Sequence, residues 1–498
     1  MNQRRPKSLV LALDLGSSSV RTALFGQDGV RLADTLASRS YAIAYSADGA
    51  AELDPAVLLR ATRLCITETL RARAASRALA EVPIIAVSGS GFWHGLLGLD
   101  RHGCAVTPVF TWADSRSKRD ASQLRGELGE RAIQLRTGCM LRAQFWPAKL
   151  RWLRRTERQL FHRVTEWTSP ASWIFGELFG VSESSHSMAS ATGLYNLREQ
   201  TWDREMCRLC GVRAEQLGAI SDLGIAPKGI GGSPETAIFT AIGDGAASNL
   251  GSGADGPGSF AINLGTSGAV RVVMDMRRHD LPRGLFQYVV DSQRVVIGGA
   301  ISNAGNLHQW CERELRLPDG HGEQALSRTA AAADRLVALP FWVDERAPTW
   351  PENTHGTITG VTPTTTAADL MRATTTSTFY RLAAILDALA HLSAVKQIIV
   401  SGGILHSAAA LHILADCVGR DIQVCRELES SLRGAAIHAL EQLGQTPAPL
   451  RAGRMVRHDR ALAAKHRYRR HRQEALEDLF ESAAAIPARE GRSPRQAR

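Results

Sequence analysis

The sequence predicts an α/β protein built from two similar halves, and three observations carry that expectation. Strand-like and helix-like stretches alternate along most of the chain. Near the N-terminus, Ser8–Asp28 reads as two extended runs joined by a tight Gly/Ser turn. Much later, Phe260–Val273 repeats that pattern of strand, Leu-Gly, hydroxyl residues and strand. Two such hairpins, one in each half, point to a duplicated architecture with a nucleotide held between the copies.

In the first hairpin Leu9, Leu11, Leu13 and Leu15 alternate, which marks a strand with one face fully buried. The run stops at Asp14-Leu15-Gly16-Ser17-Ser18-Ser19, a second run follows over Val20–Phe25, and Gly26–Gly29 turns the chain again. A glycine and three hydroxyls between two strands present outward-facing donors that suit phosphate oxygens. A carboxylate at the end of a buried strand is costly unless it meets a cation, so Asp14 suggests Mg²⁺ and phosphate together. An ordinary hairpin with a capping Asp reads the same way locally. The second copy, FAINLGTSGAVRVV with Asn263 where Asp14 stood, favours the phosphate reading.

Further along, Pro55–Ala80 is helical in pattern and Ile84–Val87 is a buried strand. That strand is expected to end in a glycine-rich turn, Ser88–Gly95, presenting an exposed Trp93 and His94, with Leu96–Leu99 as the paired strand. The Thr111–Arg116 loop carries Trp112, Asp114 and Arg116 into a charged helix, and Arg136–Leu153 leads into another. Rings, carboxylates, guanidinium and imidazole on loops at strand ends are what a sugar site uses. Core packing of Trp93 and Trp112, and a surface i,i+2 pair of Asp114 with Arg116, are the alternatives. Gly229–Ala237 marks a domain boundary. The strand Ala237–Ile242 delivers Asp244 to a helix start, where it serves as an N-cap, as the acceptor of a hydroxyl proton, or as both. After a helix over Ala367–His391, the strand Gln397–Val400 runs into Ser401-Gly402-Gly403 and a helix with Leu411, Leu414 and Val418 on one face. That geometry suits a nucleotide at a helix N-terminus.

At 498 residues the chain is too long for one core, so two or three domains are expected. No apolar run approaches the ~18–20 residues of a membrane span. Asp14 interrupts the N-terminal apolar stretch too early for a secretory signal, and a cytoplasmic location follows. Residues 451–498 hold thirteen Lys/Arg against six Asp/Glu, so +7 of the net +10 sits in this tail. The basicity is therefore not that of a nucleic-acid groove. A solvated helix over Arg460–Phe480 followed by a disordered end is expected. Among the eight cysteines Cys207 and Cys210 lie three apart, but no second pair completes a zinc spacing, and reduced thiols are expected.

The segments DLGSSSVR, GFWHGLLGLD, TWADSRS, TG…WPAKLRWL, ATGLYNL…WD, GDGAASNLGSG, NLGTSGAVR, DERAP and SGGILHS…LADCVGR run from Leu9 to about Phe480. In this order they resemble the FGGY carbohydrate kinases, members of the actin/hexokinase-like ATPase superfamily. The resemblance implies two ribonuclease-H-like domains around a central interdomain cleft. These would be residues 1–236 on the sugar side and 237–482 on the nucleotide side, with 483–498 as a disordered basic tail. It implies phosphorylation of a sugar or polyol hydroxyl by ATP with Mg²⁺. Asp244 takes the place of the catalytic base and candidate metal partner, and Asp14 that of the residue organising Mg²⁺. Gly16, Ser17, Ser18 and Ser19, with Gly265, Thr266, Ser267 and Gly268, would hold the terminal phosphates. Gly305, Gln309, Gly402, Gly403 and Ser407 would lie along ADP; Trp93, His94, Asp114 and Gln144, with Asp244, would meet the sugar.

Within the family, TWADSRS and NLGTSGAVR are most similar to the gluconokinase branch. An aldonic acid is therefore the first expected substrate and a ketose such as xylulose the second. Trp93 stands where that branch usually has Met, and Asn196, Asp344 and His412 are further departures. The only partner expected is this small molecule, with a homodimer compatible. The alternative is an actin-like or chaperone-like ATPase, which would keep both hairpins but has no need of the Trp93/His94 and Trp112/Asp114 loops.

Overall fold

The computed structural model describes residues 6–226, 236–277, 279–317, 322–327, 335–351 and 354–484. Its first sheet is centred on β1 (Leu9–Leu15). This strand pairs antiparallel with β2 (Ser19–Gly26), which pairs antiparallel with β3 (Ala37–Ser40). On its other side β1 pairs in parallel with β4 (Ile84–Gly91), which pairs in parallel with β5 (Thr236–Phe239). The second sheet is centred on β6 (Ser259–Leu264), antiparallel to β7 (Gly268–Asp275). An edge strand β8 (Phe286–Val289) and then β9 (Arg294–Ile301) complete that flank, with β9 antiparallel to both β7 and β8. On its far flank β6 pairs in parallel with β10 (Gln397–Ser401), and β10 in parallel with β11 (Ile422–Val424). The orders β3-β2-β1-β4-β5 and β9-β7-β6-β10-β11 are the same topology twice. The duplication read from two hairpins extends to five strands in each lobe.

β1 is buried along its whole length and on both faces, not on one as its leucine alternation suggests. Its leucines join the core with Leu58, Ala61 and Cys65 of the helix Pro55–Ala75. Val10 and Ala12 face the other way, against Leu432, Ala435 and Ala436 of the helix Ser430–Gln442. That late helix also packs on the helix Asp244–Ser252 at glycine contacts: a Cβ on Gly251 or Gly434 would lie 1.7–1.8 Å from a carbonyl oxygen of the other helix.

The Ser88–Gly91 stretch is not a turn. β4 continues through it, registered with β1 up to Leu15 opposite Gly91. Its glycines make room for a helix: a Cβ on Gly89 would press Phe175 and one on Gly91 would press Ala171, both on the helix Pro170–Phe179. Leu97–Leu99 pairs with Glu166–Thr168. The last helix, Arg460–Ala484, is docked rather than solvated. His466, Gln473 and Glu477 are buried, and Glu477 pairs with buried Arg381 at 2.8 Å. The glycine-rich break at 229–235 and the tail beyond 484 lie outside the described residues. Leu223–Ala226 and Thr236–Phe239 on either side of that break pair with each other in the first sheet, so the first lobe runs past the boundary expected at 236/237. Among the described residues no helix is long and apolar enough to cross a membrane, and all eight cysteines are free.

Candidate active site

Asp14 sits at the open end of β1, where the register sets it opposite Ser90 of β4. Its carboxylate accepts a hydrogen bond from the Ser90 hydroxyl and lies 3.4 Å from Arg21, a guanidinium shared with Glu429 at 3.3 Å. Burial raises its pKa above the usual carboxylate range, while the Ser90 bond and Arg21 oppose the rise. The second lobe repeats this detail with a neutral pair, since Asn263 of β6 donates to Ser401 of β10 at 3.0 Å. Each turn is closed by a glycine amide: Gly16 donates to the Ser19 carbonyl at 3.0 Å and Gly265 to the Ser267 carbonyl at 2.9 Å.

The residues predicted for the nucleotide gather behind the second turn. The first amides of the helix Gly305–Glu314 donate to that turn, Gly305 to the Gly265 carbonyl at 3.0 Å and Asn306 to Thr266 at 3.2 Å. A Cβ on Gly305 would stand 2.4 Å from the Gly265 oxygen, so the approach requires glycine. Gln309 is exposed on the same helix. Gly402, at φ +93°, lies against Leu264, where a Cβ would meet the carbonyl oxygen at 2.4 Å. Gly403 opens a short 3₁₀ turn, after which Ser407 caps the helix Ala408–Val418 by accepting from the Ala410 amide at 3.0 Å.

Between the turns lies a cavity of about 160 Å³ that receives Ser17 from the first and Ser267 and Gly268 from the second. Trp93, His94 and Gln144 reach it from the first lobe, and Asp244 stands in its wall. Asp244 is the first residue of its helix; Gly243 holds the N-cap position without a side-chain cap. The carboxylate accepts from the Gly245 amide at 2.7 Å. Burial raises its pKa, and the Arg271 charge is the largest opposing influence. Trp93 is buried against this segment: a Cβ on Gly243 would lie 1.8 Å from its Nε1, and one on Gly245 would lie 2.3 Å from its ring. Its edge meets Tyr288, whose ring stacks on Phe286 with centroids 4.4 Å apart. His94 is held at φ +67° with Nδ1 2.8 Å from the Ala191 carbonyl. That bond requires the proton on Nδ1 and leaves Nε2 as an acceptor. Burial drives the ring's pKa down to about 3, so it is neutral at physiological pH.

Asp114 does not line the cavity. Its buried carboxylate is taken by Arg116 at 2.6 Å and by the Ala51 amide at 3.2 Å, the i,i+2 pair drawn inward. Among the residues that line it, sequence reasoning gave no role to Arg271, Phe286, Tyr288, Arg346 and Trp350. Arg271 interrupts the valine-rich run of β7, and Phe286 and Tyr288 alternate along β8, so period-two reading of these strands carries the signal. Arg346 lies in DERAP, where Glu345 ties the loop down by accepting from the Ser302 amide at 2.6 Å.

Two lobes of one topology, with glycine-hydroxyl turns facing each other over a polar cavity, define a phosphotransferase of the actin/hexokinase type. The chain matches the N-terminal domain of the FGGY family of carbohydrate kinases over residues 9–251 and the C-terminal domain over 260–442. It belongs to that family and is a carbohydrate kinase, for which ATP is the implied phosphoryl donor. It is 27% identical to a gluconokinase of Bacillus subtilis over 465 residues, covering 88% of each chain. It is 22% identical to a xylulose kinase of Staphylococcus xylosus over 454 residues, covering 86% of this chain and 90% of that one. A gluconate kinase structure from Lactobacillus acidophilus superposes with a TM-score of 0.87 at 23% identity, covering 96% and 99% of the two chains. This likeness shows the shared fold.

Proposed function

We propose that the protein transfers the γ-phosphoryl group of ATP to a hydroxyl of a small sugar acid, gluconate-like by first preference, with a ketose such as xylulose as the second reading. The observation that carries this is the shared cavity, whose lining combines a half-buried carboxylate, Asp244, with side chains from both turns. Aromatic faces of Trp93, Phe286 and Tyr288 would meet the C–H faces of the acceptor, while His94 Nε2 and Gln144 would bind its hydroxyls. Asp244 would take the hydroxyl proton as the oxygen attacks phosphorus and the bond to the ADP oxygen breaks. The Gly16–Ser19 and Gly265–Gly268 turns would align the phosphates, with Gly305, Gln309, Gly402, Gly403 and Ser407 along the rest of the nucleotide.

The buried Asp14 and half-buried Asp244 carboxylates suit a divalent cation. The Asp244 charge itself raises the Asp14 pKa, and Arg21 is divided between Asp14 and Glu429. Mg²⁺ held there, with most of its ligands from phosphate and water, would neutralise phosphate charge. An actin-like ATPase without an acceptor has no use for this cavity.

The test is an ATP-consumption assay against aldonates, ketoses and polyols. Asp244→Asn is expected to retain nucleotide binding and lower turnover by ~10²–10⁴-fold, the range for losing a general base. Turnover near that of the unaltered enzyme would remove Asp244 from the role.

A further inference from the structure

The charge lining the acceptor cavity is unbalanced. Two guanidinium groups, Arg271 and Arg346, line it with one carboxylate, Asp244, and His94 is neutral. The neighbouring Glu345 also favours the Arg346 charge, but its carboxylate is taken by the Ser302 amide and the Asn303 side chain. Neither guanidinium has an ion-pair partner among the described residues. Arg271 Nε is buried with no hydrogen-bond partner at all. Arg346 donates only to the neutral Ser302 hydroxyl at 3.1 Å and the Ile301 carbonyl at 2.8 Å, and its plane covers Trp112 at 5.1 Å. Burying two cations is expensive unless an anion meets them.

The fold goes to some length to hold Arg271 here. Alternation along β7 sends Val270, Val272 and Met274 into the second lobe's core and puts Arg271 on the opposite face, toward the cleft. Its register partner on β9 is Gly298, where a Cβ would press the Arg271 side chain at 2.9 Å. A Cβ on Gly245 would meet Arg271 Nε at 2.7 Å. The arginine thus passes over one glycine and ends beside another. A core strand gains nothing from a buried unpaired guanidinium, whereas a site that must hold a carboxylate gains a fork of matched geometry.

Resting on the kinase reading above, we infer that Arg271 and Arg346 form a carboxylate subsite that makes an aldonate, rather than a ketose or polyol, the preferred acceptor. A neutral acceptor would leave both guanidinium groups without an ion-pair contact, with only the more distant Asp244 and Glu345 charges to offset them. Discrimination therefore comes from the unmet charge as much as from the bond formed. The other anion available to these arginines is the phosphoryl group in flight, and the two cases separate kinetically. A carboxylate clamp acts on one class of acceptor; a phosphate clamp acts on all.

The unaltered enzyme supplies the first arm: ATP-dependent phosphorylation of gluconate is compared with that of glucitol and xylulose. The expected result is a kcat/KM at least ~10²-fold higher for the acid, in line with a charge-assisted bidentate contact. Arg271→Met and Arg346→Met are each expected to raise KM for gluconate by ~10-fold or more and to shrink the preference over glucitol, with Arg271→Lys recovering part of it. Because a methionine variant can fail to fold, calorimetry on the unaltered protein without nucleotide provides a second reading. Gluconate should bind, and neutral glucitol should bind at least ~10-fold more weakly. Equal kcat/KM for acid and neutral acceptors would overturn the inference. So would methionine variants that lower kcat for every acceptor while leaving the KM for gluconate unmoved, since that assigns the guanidinium to the phosphoryl group. Failure to phosphorylate any acceptor would instead defeat the kinase reading beneath it.

Discussion

Lys149 touches no predicted ligand, yet three carbonyls depend on it. Fully buried, it donates to His94 at 3.2 Å, Thr111 at 2.7 Å and Gln144 at 2.9 Å, tying together the loops that bring His94, Trp112 and Gln144 to the cavity. Burial lowers its pKa to about 7, and the Asp114 charge resists that fall. Asp114, expected at the sugar, thus stands behind the site and supports its scaffold. Lys149→Met should raise the acceptor KM by ~10-fold or more while leaving the KM for ATP unmoved, because three buried carbonyls lose their donor. Parallel losses for both substrates would mean general unfolding. Asp244 supports a pH prediction. As the proposed base it would have to be ionised, and burial raises its pKa, so kcat/KM should fall as pH falls through a value above the ordinary aspartate 3.8. Arg271 is its main opposing charge, so Arg271→Met should move that acid limb to higher pH. A limb that stays in place would uncouple the pair.

At the scale of elements, the strand and turn segments beside Asp244 are shaped by one indole ring. Gly245→Ala would put a methyl 2.3 Å from Trp93 and 2.7 Å from Arg271, so ring, arginine or helix start must shift. The substitution is expected to cost about 1–3 kcal/mol of stability and to raise the acceptor KM. Gly126, in the last turn of the helix Lys118–Glu127 with open space around it, is the control, and Gly126→Ala should stabilise by less than about 1 kcal/mol. Thermal melts and acceptor kinetics on the two variants check this. Both hairpins were legible because period two, glycine and hydroxyls are local signals, and Asp244 because a strand visibly ends before it. The Ser88–Gly91 glycines misread as a turn for a reason that is not local: only the packed helix at Phe175 and Ala171 explains them. Arg271 escaped for a related cause. Its residue type was plain in β7, but which face meets the cleft depends on strands far away in sequence.

At the scale of the molecule, the cavity belongs to neither lobe alone, because Trp93, His94 and Gln144 line it together with Phe286, Tyr288 and Arg346, and Trp93 packs directly on Tyr288. The two sides of that cleft are joined unequally. Near β8 the contacts are short and buried: Gln287 donates to the Gly138 carbonyl at 3.0 Å, Val289 to the Ser190 hydroxyl at 2.9 Å, and Gln134 to the Leu285 carbonyl at 2.7 Å. At the outer side Lys118 meets Asp344 in an ion pair with both side chains more than half exposed, a contact worth little in water. A pivot at the stitched edge with a yielding far side follows from that asymmetry. An open cleft would also expose the donor phosphates to hydrolysis, which gives closure a chemical purpose. Small-angle scattering should therefore show a smaller radius of gyration with gluconate and a non-hydrolysable ATP analogue together than without ligands. Lys118→Ala should leave that contraction intact. Gluconate alone should already change the tryptophan fluorescence, because Trp93, Trp112 and Trp350 line the cavity. Scattering curves that superpose with and without both ligands would mean that the lobes are fixed and that the acceptor enters a preformed site.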